Sequence, residues 1–172
     1  ELFGNSAADN LANTKRLELV SQNKDHFNNG EKAEVKIMVK NIKKIEVKIF
    51  SLDIVNYLKE FKSYPENSMD LDGLLPEVSK IYEYTNEKHH EHLEVFNFEE
   101  IDNEEFGYWF IDFIGDGLMS RAIVKKGSLS LINQPYEHGV IFYILDHGKN
   151  ICQGENTGIY INGKLMSAGE NG

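Results

Sequence analysis

The sequence predicts an all-β protein: one antiparallel β-sandwich followed by a partial second β unit. Three observations predict it. Two short runs alternate apolar and polar residues with a period of two, Val35-Lys36-Ile37-Met38-Val39 and Ile45-Glu46-Val47-Lys48-Ile49. The most apolar run, Phe106 to Ile114, is aromatic and β-branched, lies between Gly107 and Gly115, and is too short for a buried helix. Short strand-like runs recur with turn residues between them, and no long helices alternate with them.

The alternating runs follow from strand geometry, since successive side chains point to opposite faces of a sheet. Val35, Ile37 and Val39 then share one face and the charged residues take the other, with Lys and Glu discouraging edge-to-edge association. With only Asn41-Ile42-Lys43-Lys44 between them, the two runs read as an antiparallel pair. Asp53 to Lys62 is ambiguous: Ile54, Tyr57 and Leu58 have helical spacing, but the stretch also fits an extended strand end. Ser63 to Leu75, with Pro65 and Asp70-Leu71-Asp72-Gly73, is rich in turn residues. Residues 77–92 read as a strand with a loop, Leu93 to Phe98 as a strand, and Asp102-Asn103-Glu104-Glu105 as an exposed turn. Phe106 to Ile114 reads as a central strand, which Gly115-Asp116-Gly117 turns into the strand Arg121 to Lys125.

After Gly127 about three strands are readable, including Val140 to Leu145 and Gly158 to Ile161. Asn162-Gly163 is the two-residue turn that most favours a hairpin, because both positions accept positive φ. Three strands are too few to close a sandwich, so this part packs on the first domain, dimerises or begins a truncated neighbour. The predicted division is residues 1–14 as leader or linker, 15–127 as the sandwich, and 128–172 as a partial second sandwich or hairpin extension. The chain opens at Glu1 and ends in Asn171-Gly172 with no closing element, which reads as a fragment of a longer protein.

Composition narrows the function classes. The balance of 28 acidic against 18 basic residues gives a net charge of −10, which repels phosphate backbones and anionic lipids and argues against a nucleic-acid partner. No segment approaches the roughly 20 apolar residues of a bilayer-spanning helix, so membrane insertion is not expected. Cys152 is the only cysteine, which excludes an internal disulfide. There is no Asn-x-Ser/Thr sequon.

Leu17-Glu18-Leu19, then Phe27-Asn28-Asn29-Gly30-Glu31, then Val35 to Val39, resembles the opening of a macroglobulin-like domain of the alpha-2-macroglobulin family. Asn28-Asn29-Gly30 stands where that family commonly has Pro-Gly, and Gly30 still supplies the turn. Gly107 to Phe113 resembles the strand before the last turn of such units, and Gly115 to Gly127 their closing hairpin. The resemblance covers residues 15–130 and, more faintly, the tail, which resembles the opening of the next sandwich in a serial array. It implies a macroglobulin-like, immunoglobulin-like fold and a non-catalytic, structural or protein-binding segment of a large multidomain protein. The implied partners are other domains of that protein and a protein ligand, and members are often extracellular. The family's thioester sequence, Gly-Cys-Gly-Glu-Gln, is not reproduced: Cys152-Gln153-Gly154-Glu155 follows Ile151 and has Glu155 where the Gln belongs.

No catalytic residue and no cofactor is assigned. His89-His90-Glu91-His92 is the nearest approach to a metal site, because imidazole and carboxylate groups bind zinc. On a strand only His90 and His92 share a face, and two ligands are not a site unless His26, His138 or His147 joins them. Asp70-Leu71-Asp72-Gly73 has the letters of a calcium loop without its third ligand and closing Glu, and reads as a turn. Asp102, Asp112 and Asp116 are candidates for a loop-end calcium site. Asp102, Glu104 and Glu105, as a glycosidase pair, read as solvated turn residues. Ser120 has no nucleophile elbow around it. Trp109, Phe110 and Phe113 read as core rather than as a sugar-stacking platform. The runner-up function is a carbohydrate- or calcium-binding adhesion module. Arg121, one of very few arginines, is expected to clamp a carboxylate or backbone carbonyls across the hairpin.

Overall fold

The computed structural model describes residues 12–85, 90–154 and 157–169. The leader or linker proposed for residues 1–14 falls almost wholly outside them. The elements run β1 (Arg16–Leu19), β2 (His26–Phe27), β3 (Glu34–Lys40), β4 (Lys44–Ser51), α1 (Ile54–Phe61), β5 (Val78–Glu83) and β6 (Glu91–Asn97). They continue with α2 (Glu99–Asp102), β7 (Gly107–Gly115), β8 (Leu118–Lys126), β9 (Ser130–Tyr136), β10 (Gly139–Leu145), β11 (Gly158–Ile161) and β12 (Lys164–Ser167).

Two sheets form a β-sandwich, antiparallel except where the two-residue β2 runs parallel to β8. One has the strand order β1-β3-β6 and the other β2-β8-β7-β4-β5. Val35, Ile37 and Val39 bury one face of the small sheet, and Ile45, Val47 and Ile49 bury the facing side of the large one. Trp109, Ile111, Phe113, Phe96 and Val124 complete the same core. Burying each such side chain contributes on the order of 1.5–3 kcal/mol.

The alternation of β3 and β4 is as the sequence predicts, but their pairing is not. β3 pairs with β1 and β6, whereas β4 pairs with β5 and β7. The short break between them carries the chain from one sheet to the other. Both strands have one apolar face, and two such faces meet most completely across a core rather than side by side. Asn41 takes positive φ at 55° to turn the corner, and Ile42, 5% exposed, plugs it.

β7 is buried on both faces. Its odd residues Trp109, Ile111 and Phe113 enter the main core, while Tyr108 and Phe110 enter a second cluster on the outer face with Phe50 and Leu71. That cluster is covered by α1 and the loop after it. The ambiguity at residues 53–62 resolves to helix because Asp53 caps it, its Oδ1 accepting from the Asn56 amide at 3.0 Å. Lys62 ends the helix in the left-handed conformation.

Gly115 and Leu118 pair around Asp116-Gly117, whose φ values of 49° and 84° make the tight hairpin turn. Asn162-Gly163 does the same between β11 and β12, with φ of 49° and 75°. The tail has one strand more than expected: β9, pairing with β10, lies in a segment that shows no strand pattern. Among the described residues the tail is two separate two-stranded sheets, β9–β10 and β11–β12. The expected turn at residues 102–105 begins one turn earlier, as the short helix α2.

Candidate functional site

Polar side chains that suggest chemistry in the sequence are mostly engaged in holding the fold. Asp112 and Arg121 are partners in the β7–β8 register and both face outward, under the loop that follows α1. Arg121 donates Nε to Asp112 Oδ1 at 2.5 Å and Nη2 to Oδ2 at 2.9 Å. Its Nη1 donates to the carbonyls of Asn67, at 3.2 Å, and Met69. Asn67 returns a side-chain bond to the Arg121 carbonyl at 3.1 Å. The guanidinium also lies 5.5 Å from the Phe110 ring. Arg121 thus clamps both a carboxylate and backbone carbonyls, and the carbonyls belong to the loop rather than to the hairpin.

This pair forms the floor of an open cavity of about 530 Å³, whose walls include Lys48, Phe50, Leu71 and Met119. Asp70 and Asp72 stand at its edge. Asp70 Oδ1 accepts the Asp72 amide at 2.8 Å, and Leu71 between them is 7% exposed. The segment is a turn that inserts a leucine into the outer cluster, with Gly73 at φ 90°.

The three aspartates named for a loop-end calcium site are not brought together. Asp112 is held by Arg121. Asp102 Oδ1 accepts the Ala33 amide at 2.6 Å. Asp116 sits in the β7–β8 turn, 3.6 Å from Lys15 Nζ. Glu100, on α2, is held below the usual carboxylate range by its hydrogen bond from Lys80, at 2.5 Å. Lys126, 4% exposed, is a second buried charge among the described residues; its Nζ donates to the carbonyls of Ile101 at 3.0 Å and Asp102 at 2.6 Å. A cation there satisfies the last carbonyls of α2.

His90 and His92 share a face and stack with ring centroids 5.3 Å apart. His92 Nε2 lies 3.0 Å from Glu94 Oε1, and its ring tilts against Tyr84 at 5.8 Å. Glu91 turns away to pair with Arg16. His89 lies outside the described residues. His26 Nε2 is 3.1 Å from the Gly127 carbonyl, and His138 packs on Tyr136. Among the described residues no three His, Cys, Asp or Glu side chains are placed to hold a metal ion. Burial pushes the Tyr84 phenol up, and its hydroxyl has no hydrogen-bond partner among them.

Ser120 Oγ donates to the Leu17 carbonyl at 2.5 Å and ties β8 to β1. Trp109, 5% exposed, is core and offers no stacking face. Cys152 is half-buried with a free thiol, and Glu155 lies outside the described residues. No helix among the described residues is long and apolar enough to cross a membrane.

Much of this β fold is shared with solved structures. The segment of native alpha-2-macroglobulin from Escherichia coli that spans domains MG0-NIE-MG1 superposes with a TM-score of 0.54 at 7% identity, covering 81% of this chain and 48% of that one. The fold is macroglobulin-like. The NIE-MG1 segment of the same protein gives a TM-score of 0.50 at 8% identity, covering 80% of this macroglobulin-like chain and 75% of that one. At these identities the likeness is one of fold. A family model described as the first immunoglobulin-like domain of AbpF matches residues 45–127. Over 157 residues, 91% of the chain, the sequence is 24% identical to Actin-binding protein F of Dictyostelium discoideum. The chain spans 6% of the length of that relative.

Proposed function

We propose that this chain is a non-catalytic structural and protein-interaction segment of a large multidomain protein. In this reading residues 15–127 form one complete immunoglobulin-like unit and residues 128–172 begin another. The observation that carries it is the match to Actin-binding protein F: nearly the whole chain aligns, yet it fills 6% of that protein. The matching family model describes a first immunoglobulin-like domain, and its match ends at Gly127. The engagement of Asp112, Arg121, Lys126, Asp102 and Ser120 in internal bonds supports a rigid unit whose contribution to binding is its surface.

Actin itself is a candidate partner of the full-length protein rather than of this segment. A net charge of −10 gives the segment no attraction for acidic surfaces. The adhesion-module alternative is less well supported, since Trp109 is in the core and the candidate calcium ligands point to different places.

Limited proteolysis of the full-length protein tests the proposal. It predicts a resistant fragment ending near residue 127, together with no turnover by the 172-residue chain of ester, glycoside or phosphoester substrates. Measurable turnover, abolished by a substitution that leaves the fold intact, overturns it.

A further inference from the structure

The tail has the parts of a core without enough strands to close it. Phe142 and Ile144 of β10 and Ile159, Ile161 and Met166 of β11–β12 line one cavity of about 160 Å³, together with Cys152. Two hairpins therefore face each other across apolar side chains, as the two sheets of a sandwich do. The enclosure is incomplete. Met166 remains 52% exposed, and Leu131 and Val140, which share a face of β9–β10 with Phe142 and Ile144, are 50% and 52% exposed. Among the described residues each sheet has two strands; Asn150 to Cys152 bond to Ile144 to Asp146 at one edge of β10, and further strands can extend the remaining edges. A two-stranded hairpin is marginal in water by itself.

We propose that the face formed by Phe142, Ile144, Ile159, Ile161 and Met166 is the first half of a second sandwich core, completed by strands of the polypeptide that follows residue 172. The inference rests on the reading of the chain as part of a serial array, and it names the occupant of the open face. Two observations favour a following segment over a second copy of this chain. The relative that matches 91% of the chain extends over a length of which this match is 6%. Each copy also carries a net charge of −10, which opposes self-association, whereas a tethered segment is held at high effective concentration. Gly163, in the turn of β11–β12, lies beside the side chain of Lys62, the residue that ends α1.

Cys152 lines the cavity and is the only cysteine, so it reports on closure. The experiment measures maleimide labelling of Cys152 in the 172-residue chain and in the full-length protein carrying no other accessible cysteine. Labelling is expected to be about tenfold or more slower in the full-length protein, because the thiol must wait for local opening. Phe142→Asp in the full-length protein should restore fast labelling while limited proteolysis still releases the fragment ending near residue 127. Equal rates in the two proteins overturn the proposal. So does protection of the 172-residue chain that grows with its concentration and accompanies a dimer in light scattering. If labelling fails this way while proteolysis still releases a fragment ending near residue 127, the array reading stands and only the occupant is wrong.

Discussion

Asp112 and Arg121 face each other across the β7–β8 pair and make a two-point ion pair, with side chains 6% and 11% exposed. A third nitrogen of the same guanidinium holds the loop that covers the outer face of the large sheet. One arginine therefore joins two strands and a turn-rich loop.

Arg121→Met leaves Asp112 buried without its cation, which costs about 3–5 kcal/mol. Asp112→Leu combined with Arg121→Met removes both charges and should cost clearly less than either single change. Urea unfolding of the three variants checks this; additive costs would show that the two groups are uncoupled. The loop at residues 67–69 should also become more protease-sensitive in both Arg121 variants.

Lys126→Met keeps the apolar stem and deletes the ammonium group that serves the carbonyls of Ile101 and Asp102. The Ile101 carbonyl keeps the Glu104 amide at 3.1 Å while the Asp102 carbonyl loses the ammonium, and the expected loss is about 1–3 kcal/mol. Thermal unfolding reads the change, and hydrogen exchange should localise it to residues 99–104.

Alkaline pH should destabilise the protein through Tyr108. Burial pushes its phenol up to about 12, against an ordinary value near 10 in the unfolded chain. A group whose pKa is raised on folding contributes its stability fully below the unfolded value. That contribution is lost as pH rises from about 10 through the folded value. The Tyr84 phenol is raised by the same cause. Stability measured from pH 9 to 12 should fall, and Tyr108→Phe should flatten part of the fall; an unchanged slope would remove Tyr108 from the account.

Trp109 is the only tryptophan and lies in the main core. Its emission should be blue-shifted and resist iodide until the protein unfolds. Trp109→Ala should cost about 3–5 kcal/mol, as large-to-small core changes do. Ready quenching in the native protein would place it at the surface.

The sequence makes the faces of strands readable and leaves their partners obscure. Val35, Ile37 and Val39, and likewise Ile45, Val47 and Ile49, alternate because each strand has one buried side. Period two, however, states which side is buried and not which sheet a strand joins. A four-residue break serves a hairpin or a crossover equally, and the core chose the crossover. β9 is invisible for a different reason: nearly all its residues are exposed, so no alternation marks a buried side, and Pro135 reads as a breaker. Arg121 was legible as a clamp because so few arginines occur. Its partner was not, since Asp112 looks in sequence like any loop-end carboxylate until β7 and β8 are paired. The positions of His90 and His92 on one face follow from strand geometry alone, while the pairing of His92 with Glu94 needs the actual side-chain directions.

The central claim is that residues up to 127 form a unit closed on itself, with the tail outside it. A chain shortened to end at Ser128, which retains the bond from the Asn29 amide to Ser128 Oγ, tests this most directly. Urea unfolding followed by Trp109 emission should remain one cooperative transition, with a midpoint close to that of the 172-residue chain. A shortened chain that is unfolded in buffer, or that loses cooperativity, would contradict the claim.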